Sequence, residues 1–62
     1  MMTLNQKLHL DLIRRSCEVL AEEEGAIWYR DGGFGYAEVL DEGEWVSYSC
    51  NSAEEFALIC GH

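Results

Sequence analysis

The stretch Ala26-Ile27-Trp28-Tyr29-Arg30-Asp31-Gly32-Gly33-Phe34-Gly35-Tyr36-Ala37-Glu38-Val39-Leu40-Asp41-Glu42-Gly43-Glu44-Trp45-Val46-Ser47-Tyr48-Ser49-Cys50 decides the fold, because glycine punctuates it like a series of hairpins. Asp31-Gly32-Gly33 and Asp41-Glu42-Gly43 put glycine where a tight β-loop needs positive φ. The runs 26–30, 34–40 and 44–50 are rich in β-branched and aromatic residues at ordinary strand length. Three antiparallel strands joined as a meander are the simplest connection. Alternation along each strand is expected to send Ile27, Tyr29, Ala37, Val39, Val46, Tyr48 and Cys50 inward. It sends Trp28, Arg30, Phe34, Tyr36, Glu38, Trp45, Ser47 and Ser49 to an open face, where the rings either bind a partner or cover one another across strands.

Outward from the sheet, residues 3–24 show helical period. Leu4, Leu8, Leu12, Ile13, Ser16, Cys17, Val19 and Leu20 share one broad face, and Lys7, Asp11, Arg14, Arg15, Glu18 and Glu22 share the other. Thr3 or Asn5 is the candidate cap, and Lys7–Asp11, Asp11–Arg15 and Arg14–Glu18 fall at i,i+4 spacing. On this reading Glu22-Glu23-Glu24 ends the helix before Gly25, where the macrodipole is negative and carboxylates are unfavourable. After the sheet, Ser52-Ala53-Glu54-Glu55 matches a capping box, followed by an apolar stripe of Ala53, Phe56, Ala57, Ile59 and Cys60 and a stop at Gly61. The expectation is an α+β fold of order αβββα, a single domain over residues 1–62, with both helices packed on one face of a three-stranded antiparallel meander.

A chain of 62 residues has a thin core, although 48% hydrophobic and 26% charged content is that of a globular protein. No run is long and apolar enough to cross a bilayer, and no secretory-signal pattern is present, so a cytoplasmic location is expected. Cys17, Cys50 and Cys60 lack framework spacing and read as small buried hydrophobes in a reducing compartment.

Charge is the one pronounced functional signal. The formal net charge is −8, and the bases are confined to Lys7, Arg14, Arg15 and Arg30. Seven acids (Asp31, Glu38, Asp41, Glu42, Glu44, Glu54 and Glu55) follow Arg30 with no Lys or Arg among them, which disfavours direct contact with nucleic acid. Chain direction and short loops are expected to gather Glu22, Glu23, Glu24, Asp41, Glu42 and Glu44 at one pole. Asp31, Glu54 and Glu55 are expected at the other, near the start of the first helix, with Glu38 on the open sheet face between them.

Catalytic and cofactor chemistry find little support in the residues. No Ser/His/Asp or Cys/His set is readable, and His9 and His62 read as ordinary surface or terminal residues. Asp41, Glu42 and Glu44 do not match a calcium loop, and Cys60-Gly61-His62 lacks paired-cysteine spacing for zinc. Asp31-Gly32-Gly33-Phe34-Gly35 has neither the lysine nor the following helix of a phosphate loop. No enzyme activity, metal or cofactor is expected. A small metal-dependent or carboxylate enzyme stays as a minor rival.

Carboxylates on a compact body can instead be presented to a basic partner. A protein that binds DNA displays rows of Lys and Arg, and an acidic pole can occupy them with fast, salt-sensitive association. Aromatic residues beside the pole would add apolar anchoring. The partner-binding candidates are Glu22, Glu23, Glu24, Glu38, Asp41, Glu42, Glu44, Trp28, Tyr36 and Trp45.

In size, charge and the acids Glu22-Glu23-Glu24, Asp41-Glu42-Gly43-Glu44 and Glu54-Glu55, the chain resembles the small phage-encoded anti-CRISPR and antirestriction inhibitors, several of which imitate DNA. That resemblance implies a protein acting in the bacterial host cell that obstructs the target-DNA site of a CRISPR interference complex. The alternative is a non-enzymatic adaptor or homodimer that uses the aromatic sheet face, with acidity serving solubility. A monomer or small homo-oligomer suits either.

Overall fold

A computed structural model describes residues 2–61, which run α1 (Leu4–Ser16), β1 (Glu18–Glu23), β2 (Ala26–Asp31), β3 (Phe34–Asp41), β4 (Glu44–Ser49) and α2 (Ala53–Ile59). The strands form a single antiparallel sheet in the order β1-β2-β3-β4. The α+β class and the meander stand. The sheet, however, has four strands and not three.

The fourth strand comes from the segment read as the end of the first helix. Thr3 caps α1 as a reciprocal box with Gln6, and the helix stops at Cys17, whose backbone is extended. From Glu18 the chain pairs with β2, with Val19 opposite Tyr29, Glu22 opposite Ile27, and an irregular register between Val19 and Ala21. Without β1, β2 would leave its outer backbone groups unpaired, so the ladder prevails over a helical spacing that is only a weak preference. Arg14 and Arg15 then occupy the last turn of α1, where cations are favoured. The expected conflict between Glu22-Glu23-Glu24 and a helix C-terminus does not exist, since these residues form a strand end and its turn.

The β2–β3 turn sets the faces. Asp31 pairs with Phe34 around Gly32-Gly33, which places Trp28 opposite Ala37 and Ile27 opposite Glu38. Ile27 and Tyr29 therefore share a face with Tyr36, Glu38 and Trp45, whereas Ala26 and Trp28 share the other with Ala37, Val39, Val46 and Tyr48. The expected alternation of β2 was one residue out of phase with that of β3 and β4, which moves every β2 side chain to the opposite face.

Both faces are consequently apolar, and both are covered. Leu10 and Ile13 of α1 pack with Ile27 and Tyr29 in one core, and Phe56 of α2 packs with Ala26, Ala37 and Cys50 in the other. The helices lie on opposite faces of the sheet and not on one. The reason is visible in β2, where Ala26, Ile27 and Tyr29 are all buried and Trp28 is half-buried, a strand that needs cover on both sides. Gln6 in the first turn of α1 donates from Nε2 to the Gly43 carbonyl (3.0 Å), and Trp45 donates from Nε1 to the Gln6 carbonyl (3.3 Å). The start of α1 thus sits against the β3–β4 turn, not beside Asp31 as expected.

Two details of local chemistry complete the frame. Ser52 caps α2 by accepting from the Glu55 backbone N–H (3.1 Å), while the Glu55 carboxylate accepts from the Asn51 N–H (3.3 Å). In the β3–β4 turn Glu42 has φ +52° beside Gly43 at +82°, so a side-chain-bearing residue holds a left-handed conformation that asparagine tolerates better. Glu42→Asn is expected to raise unfolding free energy by about 0.5 to 1 kcal/mol. Urea titration checks this, and an unchanged midpoint would show that the turn carries no such strain.

Candidate functional site: the acidic end of the sheet

The β1–β2 and β3–β4 turns lie at the same end of the meander, tied by a hydrogen bond from the Leu40 N–H to the Gly25 carbonyl (2.8 Å). Glu23, Glu24 and Asp41 line an open concavity of about 370 Å³ there, together with Tyr48, Ile59 and Cys60. Glu24, Asp41, Glu42 and Glu44 are exposed, and Tyr48 is 44% exposed. The predicted pole therefore exists as a place, with carboxylates around a partly apolar floor. Such a surface suits the long apolar stem and cationic head of Lys or Arg. Burial, then the neighbouring Glu23, raises the Cys60 thiol, so it stays protonated. The three cysteines are all free, Cys50 fully buried and the other two half-buried.

Glu22 differs from its neighbours. Its carboxylate accepts from Arg14 Nη2 (2.7 Å) and Nε (3.2 Å), while Arg14 Nη1 donates to Asp11 (2.9 Å). Where the i,i+4 ladder Lys7–Asp11, Asp11–Arg15 and Arg14–Glu18 is expected, Arg14 instead pairs with Asp11 at i,i+3 and bridges α1 to β1 through Glu22. Glu22 is already spoken for within the chain and is less available to a partner than Glu24, Asp41, Glu42 or Glu44.

Glu38 departs furthest from expectation. Its place was to be an open sheet face between the poles, but it is buried, at 8% exposure, beneath α1. One carboxylate oxygen is 2.6 Å from His9 Nε2, and the other accepts from the Tyr29 hydroxyl (2.5 Å). Burial first, then the hydrogen bond to Glu38, pushes the Tyr29 phenol well above its usual range, so it remains a donor. His9 stacks on Trp45 (centroids 5.4 Å) and is thus a structural bridge, not an ordinary surface residue. No polar side-chain atom buried among the described residues lacks a partner, so this cluster is satisfied internally.

The aromatic candidates are also engaged. Trp28 stacks near Phe56 (6.0 Å) and donates from Nε1 to the Cys50 carbonyl (3.0 Å). Tyr36 leans on Tyr29 (5.8 Å), and Trp45 holds His9 and Gln6. All three are half-buried in the two cores, so the open aromatic face is corrected to two covered ones. Phe34, expected on the open face, is exposed (67%), as is Leu58 of α2 (74%), and a further exposed apolar strip that the sequence reading does not foresee, Leu4 (72%), Leu8 (53%) and Leu12 (62%), runs along the outer side of α1. The helical period of those leucines was readable, but which side of α1 met the sheet was not.

Among the described residues no group of three or more His, Cys, Asp or Glu is placed to hold a metal ion, and no helix is long and apolar enough to cross a membrane. His62, and with it the Cys60-Gly61-His62 reading, lies outside the described residues. Comparison with protein-family models, curated proteins and solved structures gives no significant match, so the functional reading rests on the chain's own geometry.

Proposed function

We propose that this chain is a small acidic inhibitor that binds a basic, nucleic-acid-binding surface of another protein through the turn end of its sheet. The observation that carries the reading is the convergence of Glu23, Glu24 and Asp41 on one concavity, with Glu42 and Glu44 exposed in the adjoining turn. Opposed carboxylates of this kind steer a cationic surface at long range, and the Tyr48 ring and Ile59 supply apolar contact once it arrives. The narrower form of the proposal is an anti-CRISPR protein of the bacterial cytoplasm that blocks target-DNA binding by a CRISPR interference complex, without catalysis of its own.

The test is a pull-down from bacterial lysate containing an active CRISPR system, with wild type beside a Glu24→Gln/Asp41→Asn/Glu42→Gln/Glu44→Gln variant. Glu22 is left intact because it holds Arg14. The wild type is expected to capture a nucleic-acid-binding complex that duplex DNA displaces and moderate salt weakens, and the variant to capture at least about tenfold less. Equal capture by both proteins, at equal melting temperature, sinks the proposal. Removing these charges leaves folding intact or slightly improved, so lost capture is not explained by unfolding.

A further inference from the structure

We propose that the outer face of α1 is a self-association surface that pairs two copies of this chain in antiparallel fashion. Leu4, Leu8 and Leu12 stand at i, i+4 and i+8 and are more than half exposed, on the side of the helix away from the Leu10 and Ile13 that meet the sheet. Such a row is the ridge that packs into the grooves of a second helix. A single exposed leucine is unremarkable, whereas three in register on one helix form a continuous apolar strip.

Charge selects a second copy of the chain and fixes its direction. Three of the four bases, Lys7, Arg14 and Arg15, lie on α1, against Asp11 of the same helix and Glu22 bound to Arg14. With a net charge of −8, a two-fold approach of two copies through their turn ends brings acid against acid, whereas α1 carries Lys7, Arg14 and Arg15 with Asp11 as its one acid, so that acid-on-acid repulsion is absent there. A two-fold axis through Leu8 sets Leu8 on its own copy and Leu4 on Leu12 of the second copy. In the antiparallel arrangement the row Lys7, Asp11, Arg15 of one helix runs beside the same row of the other. Lys7 then comes beside Asp11 of the second copy, twice. A parallel arrangement would set that row against Asn5 and His9, with no such complement. The antiparallel pairing also carries the two acidic ends apart, since each α1 begins at its own β3–β4 turn. This surface adjoins the acidic end at Leu4 but shares none of its carboxylates, and the Leu8→Glu and acidic-end variants separate the failure of one proposal from the failure of the other.

Sedimentation across micromolar to millimolar concentrations tests the inference. Wild type is expected to reach the mass of two chains, and Leu8→Glu to remain a monomer with an unchanged melting curve, because Leu8 is half exposed and its charge would face itself. Lys7→Asp and Asp11→Lys are each expected to weaken association by about tenfold, and the double exchange to restore it. A monomer at every concentration overturns the inference, as does a dimer that survives Leu8→Glu. A double exchange no better than either single one overturns the antiparallel register. Binding of wild type to anionic or neutral lipid vesicles without self-association would assign the strip to a membrane surface and overturn the inference equally.

Discussion

Gly35→Ala is expected to lower the unfolding free energy by about 3 kcal/mol or more, the upper range for forcing extra volume into a packed site. A Cβ on Gly35 would lie 2.1 Å from the Cys50 carbonyl oxygen and 3.2 Å from Asn51 Oδ1. The carbonyl cannot retreat cheaply, because it accepts from Trp28 Nε1 (3.0 Å) while the Cys50 N–H donates to Gly35 (3.0 Å). One added methyl therefore works against the β3 backbone, the Trp28 anchor and the chain entering α2 together. For a domain of this length, total stability is roughly 3 to 9 kcal/mol, so the variant loses about a third of it or more and its melting temperature should fall steeply. A thermal melt superposable on wild type would show that the segment after β4 moves freely, contrary to these contacts.

Glu38→Ala is the second large effect, expected to cost about 2 to 4 kcal/mol. It removes buried volume and leaves the Tyr29 hydroxyl without its acceptor and His9 without its partner. Tyr29→Phe alone is expected to cost about 1 kcal/mol, as the loss of one hydrogen bond. In the Glu38→Ala background the same change should cost nearly nothing, since the hydroxyl is already orphaned. Urea titration of the four proteins gives the coupling directly. Additive losses would mean that Tyr29 and Glu38 do not act through the bond between them. The cluster thus belongs to the attachment of α1, and substitutions at Glu38 are read as folding changes before any loss of partner binding is attributed to them.

These two sites show where sequence patterns stop being informative. Gly35 falls within the expected strand 34–40, but nothing in its neighbours tells that its missing side chain admits a carbonyl from a different part of the chain. Glu38 reads as the polar phase of an alternating strand, and only the seating of α1 makes that position interior. The two-sided burial of β2 did leave a trace, since Ala26-Ile27-Trp28-Tyr29 is a continuous apolar run and not an alternating one. Glu24-Gly25 likewise repeats the pattern of Gly32-Gly33 and Glu42-Gly43, which marks a further hairpin before β2. The displaced register between Val19 and Ala21 hid it, because a bulge breaks the period of two by which a strand is recognised.

Local chemistry sufficed where a short segment contains its own partners. The turns at Gly32-Gly33 and Glu42-Gly43, the Ser52 cap, Thr3 as one of two candidate caps, and the α+β class were all readable from neighbours in the chain. Chain direction alone was enough to bring Glu23, Glu24 and Asp41 to one end, since adjacent hairpins alternate ends. Tertiary structure decided the rest: the end of α1 at Ser16, the face each helix covers, the burial of Glu38 and the exposure of Leu4, Leu8 and Leu12. Each of these depends on which of two nearly equivalent apolar surfaces meets the other, and that choice is made by groups far apart in sequence. His9 reaching Glu38 and Gln6 reaching Gly43 turn α1 so that Leu10 and Ile13 face inward and the leucine ridge faces water.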